Sequence, residues 1–168
     1  MKDRFPVSIV VERRSYPGKP WMIDSWSVVG ILPIEGDAGV AGCKSIYRDE
    51  EKEQFLHEGH VVELFADEAE SYYTNLTASK PAIFVIGAED EDGDNLKPLL
   101  VTLSYSEMSS YVEVDTPVFD LPIPQPIYEW VEAWVLENYL PEKKHKRARQ
   151  PWADNSWKPL RRPVDQQG

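Results

Sequence analysis

Two apolar runs near the start of the chain constrain its fold more than any other feature. They cover residues 5–11 and 26–32, and a connector rich in Pro and Gly separates them. Both runs carry many β-branched residues and lack helical spacing, so they predict strands over residues 5–13 and 26–34. Proline fixes φ and glycine admits positive φ, so residues 16–20 are predicted to turn. We therefore expect the opening strand pair of a compact domain.

Further strands and helices are predicted downstream. Apolar and β-branched runs predict strands over residues 45–48, 60–65, 81–86, 98–103 and 114–121. Helical spacing of apolar residues predicts helices over residues 67–76 and 127–139, with a helical turn at 106–113. The pattern predicts an α+β fold: a largely antiparallel sheet of about six or seven strands, with two or three helices and a basic C-terminal tail.

Charge divides the chain into two parts. Residues 1–140 carry 10 Lys and Arg against 26 Asp and Glu, a net charge of −16, whereas residues 141–168 carry 8 against 3, a net charge of +5. We predict a single acidic α+β domain over residues 1–140 and a basic, Trp-containing tail over residues 141–168. Because an acidic body repels a phosphate backbone, only the tail is suited to holding nucleic acid.

The tail combines cationic and aromatic residues without apolar periodicity. Segments of this kind bind acidic protein surfaces, nucleic acid or anionic lipid, and they also serve as solubilising ends. We predict that the tail binds a partner, and that this partner is a protein rather than a nucleic acid. The predicted partner-binding residues are Lys143, Lys144, Lys146, Arg147, Arg149, Trp152, Trp157, Arg161 and Arg162.

Cellular location is predicted from cysteine usage and from the apolar runs. The single cysteine, Cys43, excludes an internal disulfide and suits a reducing compartment. The first residues lack the charged-then-apolar pattern of a signal peptide, and no run approaches the roughly 18–20 apolar residues of a membrane span. We therefore expect a cytoplasmic protein without a membrane span.

Two features resemble metal-binding motifs without matching them. His57 and His60 are three residues apart, whereas a zinc-protease helix spaces its histidines four apart, and Gly59 disfavours a helix here. We predict surface or strand-edge histidines. In the acidic segment 90–95 the glycine, Gly93, stands fourth rather than sixth, so a solvated hairpin tip is predicted instead of a calcium loop.

Cys43 and two tryptophans are candidates for ligand contact. Cys43 follows a glycine-rich loop, but no histidine-containing signature accompanies it, so a small packed thiol is predicted rather than a nucleophile. Trp130 and Trp134 lie one helical turn apart on a face that also carries Ile127 and Val131, which favours core packing over ligand stacking. The sequence predicts no catalytic residue, no metal ligand and no cofactor.

One set of motifs extends through most of the chain. It comprises Val10-Val11-Glu12-Arg13-Arg14, Pro20-Trp21, Trp26, Val29-Gly30-Ile31-Leu32-Pro33, Val62-Glu63-Leu64, Asp67-Glu68-Ala69-Glu70-Ser71-Tyr72, Asn75-Leu76, the strand from Pro81, and Glu132-Ala133-Trp134-Val135. In these motifs, over roughly residues 5–139, the chain resembles the bacterial family catalogued as domain of unknown function 3305. The spacing from Glu-Arg-Arg to Trp to Leu-Pro is distinctive, although no catalytic motif accompanies it.

This resemblance implies a cellular context rather than a reaction. Proteins of this kind are typically encoded near molybdenum-dependent formate dehydrogenases and their maturation factors, and some are labelled molybdopterin-guanine dinucleotide synthesis proteins. A guanylyltransferase of that type needs a glycine-rich loop and a basic residue after its first strand, whereas residues 12–17 offer no such loop. The later glycine loop carries Glu35 and Asp37, which repel phosphate.

We therefore expect a non-catalytic accessory or subunit protein that supports the assembly or function of a molybdenum-dependent formate dehydrogenase or a related redox complex. Its expected partner is that enzyme or one of its maturation factors. Two alternatives stay open: a nucleotide-transferring enzyme of molybdenum cofactor synthesis, and a nucleic-acid-binding protein that uses the basic tail. Saturable binding of GTP with magnesium favours the first alternative, and steeply salt-dependent binding that requires the tail favours the second.

Overall fold

The structure is a computed structural model that describes residues 2–91 and 95–141. These residues form seven strands and three α-helices, with a 3₁₀ turn at Ala66–Glu68. The strands are β1 (Arg4–Arg14), β2 (Ser25–Pro33), β3 (Gly42–Arg48), β4 (Lys52–Glu63), β5 (Ala82–Glu89), β6 (Leu96–Thr102) and β7 (Val118–Pro122). The helices are α1 (Ala69–Leu76), α2 (Tyr105–Val112) and α3 (Gln125–Asn138).

The strands form two antiparallel sheets. The larger has the order β2-β1-β4-β3, and the smaller has the order β6-β5-β7. Every pairing within them is antiparallel. The predicted α+β class with antiparallel strands is therefore confirmed, and the structure adds that the strands are divided between two sheets.

The predicted opening strand pair is confirmed, and β1 is central to the larger sheet. It pairs with β2 on one side and with β4 on the other. Its pairing with β2 shifts register where Val10 faces Gly30 and Val11 faces Val28, so one extra residue, Val29, bulges from β2 beside Gly30. A glycine inside a strand often marks such a bulge.

One face of the larger sheet carries the core. Val7, Ile9 and Val11 alternate along β1 on this face and are fully buried. They belong to the same apolar cluster as residues of β5, β6 and helices α1 and α3, including Ile83 and Ile127. Burying such side chains stabilises the fold by roughly 1.5–3 kcal/mol each. We call this the inner face of the larger sheet.

Helix α3 packs through the tryptophan face that the sequence predicts. Trp134 is buried and meets Tyr72 of α1 edge-on, with ring centroids 5.6 Å apart. Its indole N–H donates to Asp3 Oδ1 at 2.8 Å. Trp130 is partly buried against the core, and its ring centroid lies 5.2 Å from that of Phe5. The two tryptophans pack in the core, as predicted. They also bind the first residues of the chain, through the contacts with Asp3 and Phe5.

Strand β4 begins at Lys52 instead of near the predicted residue 60. Asp49 Oδ1 accepts hydrogen bonds from the backbone N–H groups of Glu51 and Lys52, both at 2.8 Å. This Asx-type turn reverses the chain within a few residues, so Lys52 and Glu53 already belong to the strand.

Helix α1 also begins differently from the prediction. Asp67 was expected near a helix N-terminus, but it lies in the 3₁₀ turn Ala66–Glu68, and the helix starts at Ala69 without a side-chain cap. No helix in the described part of the chain is long and apolar enough to cross a membrane. The predicted tail, from residue 142 onward, lies outside the described residues.

Candidate functional site

A β-bulge in β4 places two histidines on the same face of the sheet. His60 faces Val7 of β1 and His57 faces Ile9, so Glu58 and Gly59 together oppose the single residue Ser8. In a regular strand, residues three apart point to opposite faces. The extra residue of the bulge shifts the pattern by one, so both histidine side chains point to the same face. Because Val7 and Ile9 point into the core, His57 and His60 also lie on the inner face.

Gly59 is required for this bulge on two grounds. Its φ of +86° lies in the left-handed region that side chains disfavour. A Cβ at this position would also lie 2.6 Å from Ala41 Cα, which is closer than real contacts allow. The close approach of Ala41 brings the segment before β3 against the bulge, and so fixes the position of β3 next to the histidines.

Cys43 of β3 is the direct cross-strand neighbour of His57. The two side chains are within hydrogen-bond distance, with Cys43 Sγ 3.6 Å from His57 Nε2. The predicted packed thiol is wrong, because Cys43 is exposed. Cys43 lies in β3, which is an edge strand of the larger sheet and has all seven of its residues exposed.

These side chains line a cavity of about 460 Å³, which we call the inter-sheet pocket. Its walls come from the larger sheet and from the start of β6 in the smaller sheet. The lining residues are Trp26, Ala41, Gly42, Cys43, Phe55, His57, Glu58, His60, Asp90, Asn95, Leu96 and Lys97. The prediction of surface or strand-edge histidines is therefore wrong: both are half-buried, and β4 is an interior strand of its sheet.

Three side chains of the pocket, Cys43, His57 and His60, have pKa values shifted toward their uncharged forms. Burial lowers the pKa of His57, and the nearby His60 and Lys97 lower it further. Burial and Lys97 also lower the pKa of His60. Cys43 is exposed as a residue, but partial desolvation of its sulfur raises the pKa of the thiol. The Cys43–His57 pair is thus a neutral thiol beside a neutral imidazole at physiological pH, rather than a thiolate–imidazolium ion pair.

An aromatic wall closes one end of the pocket. The rings of Trp26 and Phe55 lie 5.9 Å apart, and the Arg13 guanidinium carbon is 5.8 Å from each ring centroid. Arg13 Nη2 donates to Glu53 Oε1 at 2.8 Å, which holds the cation over both rings. Arg13 and Trp26 face each other across β1 and β2. Both residues belong to the motifs that carry the family resemblance, and this contact joins them in the fold.

Two of the carboxylates around the pocket have partners of their own. Glu58 pairs with Lys44 at 3.4 Å, and Asp90 accepts a hydrogen bond from Asn95 at 3.0 Å. Within the described residues, Lys97 has no carboxylate within ion-pair distance. The predicted hairpin tip 90–95 is described only at Asp90, Glu91 and Asn95.

The described part of the chain contains no group of three or more His, Cys, Asp or Glu side chains arranged to hold a metal ion. Cys43 and His57 supply one sulfur and one nitrogen ligand, whereas a structural zinc site uses four protein ligands and a catalytic one uses three. The signal that identifies the pocket in the sequence is Gly59, because a glycine inside a strand pattern between two histidines indicates a bulge.

A second feature lies on the outer surface. Trp21 and Ile23 in the connector between β1 and β2 are 75% and 87% exposed, and Met22 between them is also exposed. We call these three residues the connector patch. Hydrogen bonds from Lys19 N to Tyr16 O (3.2 Å) and from Met22 N to Lys19 O (3.0 Å) hold its backbone in consecutive turns.

The predicted partner-binding residues of the tail, from Lys143 to Arg162, lie outside the described residues. The structure therefore does not place them relative to the inter-sheet pocket or the connector patch.

Comparison with known proteins identifies a family for the chain. A search of curated proteins and a search of solved structures found no match to the chain. A family model described as "Protein of unknown function (DUF3305)" matches residues 6–149, which includes both sheets, all three helices, the connector patch and the inter-sheet pocket. The chain belongs to the DUF3305 family.

Proposed function

We propose that this protein is a non-catalytic accessory protein that binds a protein partner through the connector patch. The partner proposed is a molybdenum-dependent formate dehydrogenase, or one of its maturation factors, whose assembly or function the protein supports. The main support for a docking role is the exposure of three consecutive large apolar residues, Trp21, Met22 and Ile23. Single exposed apolar residues are common, whereas adjoining ones are typical of interaction sites.

The connector patch is preorganised for binding. Besides its two turn hydrogen bonds, the connector is held at its base, because Ser15 N donates to Glu51 O at 2.7 Å and Tyr16 Oη lies 3.3 Å from Ser25 Oγ. A segment already fixed in place loses less conformational entropy on binding than a free loop does. Tryptophan is also among the residues that most often dominate binding energy at interfaces.

Charge favours a partner of a particular kind. Residues 1–140 carry a net charge of −16, so the body that presents the patch is acidic overall. A complementary partner presents an apolar groove with a basic rim, because opposite charges speed association and select the partner. The tail residues from Lys143 to Arg162 are proposed to make a separate contact with an acidic part of the same partner.

The pocket chemistry supports a role without catalysis. A nucleophilic cysteine needs a lowered pKa or a base that takes its proton, and thiolate rather than thiol is the reactive form. Burial raises the pKa of Cys43 and lowers that of its neighbour His57, which disfavours thiolate and imidazolium together. This supports binding rather than covalent chemistry at Cys43.

The proposal is tested by calorimetric titration of the purified protein into purified formate dehydrogenase from the same organism and, separately, into its maturation factors. We expect saturable binding to one of them, and we expect the double variant Trp21→Ala/Ile23→Ala to weaken it by about thirtyfold or more, the effect of losing an interface hot spot of about 2 kcal/mol.

Leu99→Ala/Val114→Ala is the matched control, because these two exposed apolar residues lie in β6 and after α2, outside the patch. It should bind like the wild type. Absence of binding by the wild-type protein, or equal weakening by both double variants, contradicts the proposal. Saturable binding of GTP with magnesium to the protein alone would support the nucleotide-transferring alternative instead.

A further inference from the structure

The inter-sheet pocket has an apolar end built from aromatic rings. Trp26 and Phe55 line it, and Leu96 contributes an aliphatic wall from the opposite sheet. The cation–π contacts of Arg13 fix the two rings from the other side. A cavity of about 460 Å³ lies within the range that small-molecule sites occupy, and such sites are mainly apolar with a few polar groups that orient the ligand.

Lys97 adds a positive charge to the wall of the pocket. His57, His60 and Lys97 line the same pocket, and after burial the charge of Lys97 further lowers the pKa of both imidazoles. Glu58 is paired with Lys44, and Asp90 accepts from Asn95. The positive charge of Lys97 therefore opposes protonation of both histidines. An anion held between these three side chains would reduce the repulsion between Lys97 and a protonated imidazole.

We propose that the inter-sheet pocket binds a small organic anion with a flat apolar body. The body lies against Trp26 and Phe55, and the acid group lies between Lys97 and the imidazoles of His57 and His60. The neutral imidazoles donate one hydrogen bond each, and they gain a proton more readily once the anion is bound. This site is separate from the connector patch, so it does not depend on the proposed docking role.

The binding is expected to depend on pH in a defined direction. A bound anion raises the pKa of His57 and His60, so binding takes up protons and tightens as pH falls from about 8 to about 6. The other titratable groups that face the site are Glu58 of β4, Cys43 of β3 and Asp90 before β6. Partial burial raises the pKa of the Cys43 thiol, which keeps the thiol protonated across this range.

The test uses three probes in calorimetry and in amide NMR titration of the full chain: benzoate, its neutral analogue benzyl alcohol, and inorganic phosphate. We expect benzoate to bind more tightly than the other two, with chemical-shift changes at Phe55, His57, His60 and Lys97. Lys97→Met should weaken benzoate binding about two- to fivefold and leave benzyl alcohol binding unchanged. Lys80→Met is the control, because Lys80 is also exposed but is not part of the pocket lining, and should bind like the wild type.

The double variant His57→Gln/His60→Gln should remove the pH dependence of benzoate binding while the connector-patch variants retain it. Equal affinities for benzoate and benzyl alcohol would overturn the anion assignment. Shift changes confined to residues outside the pocket, or the absence of saturable binding by benzoate, would overturn the site itself. Loss of partner binding in the formate dehydrogenase titration would leave these results unaffected.

Discussion

At the scale of single residues, Gly59 has the largest structural consequence. Its positive φ allows the bulge that turns His57 and His60 to the same face, and its missing side chain admits Ala41. Gly59→Ala therefore combines backbone strain with a clash against backbone atoms. We expect a loss of about 2–4 kcal/mol in the free energy of unfolding, measured by urea denaturation.

Gly36→Ala separates the two contributions, because Gly36 has a φ of +92° but open space around its missing Cβ. It should cost only the backbone strain, about 1 kcal/mol. Equal losses in the two variants would contradict the crowding against Ala41.

The sequence predicts the residues of the pocket less well than it predicts the strands. His57 and His60 were expected at the surface or at a strand edge, because the strand was predicted to begin only at residue 60. Gly59 indicates a bulge only once the strand is known to continue through it from Lys52. Cys43 was expected to pack, because small thiols are usually buried. Its exposure follows from the outer position of β3, which depends on long-range pairing with β4.

At the scale of elements, Asn75 joins helix α1 to the smaller sheet. Its amide nitrogen donates to Ala82 O at 2.7 Å and to Leu103 O at 2.9 Å, and its Oδ1 accepts from Ala82 N at 3.0 Å. Asn75 is buried, so Asn75→Ala leaves backbone groups without partners. We expect a loss of about 2–4 kcal/mol in the free energy of unfolding, measured by thermal or urea denaturation.

Asn138→Ala provides the matched comparison. Asn138 is exposed and makes one hydrogen bond, from Nδ2 to Trp134 O at 2.8 Å. This substitution should change stability by no more than about 0.5 kcal/mol. If the two variants lose the same stability, the hydrogen bonds of Asn75 do not anchor α1 as described.

Elements with strong local patterns are predicted well. The strand pair from residue 5, the two strands around residue 90 and helix α3 all carry apolar periodicity bounded by Pro, Gly or acidic turns, and all are present. The division into two sheets was not predicted, because which strands pair is decided by the shared core and not by any one segment. The pairing of β1 with β4 spans about forty intervening residues, and no local signal marks it.

At the scale of the whole molecule, the half-buried histidines couple stability to pH. The native state holds His57 and His60 with lowered pKa values, so the unfolded chain binds more protons below about pH 6.5. Their contribution to stability is present above that pH and is lost as pH falls toward the native pKa values. In His57→Gln/His60→Gln, the fall in unfolding free energy from about pH 7 to pH 5 should be smaller, as urea denaturation at each pH would show. An unchanged fall would contradict this coupling.

The central claim is that the bulge at Gly59 directs both imidazoles into the inter-sheet pocket beside Lys97. NMR titration of the two histidine rings tests it most directly. The account predicts that both pKa values lie below the ordinary value of about 6.5 and that both rise in Lys97→Met but not in Lys80→Met. Ordinary or raised pKa values in the native protein, or values that Lys97→Met leaves unchanged, would contradict it.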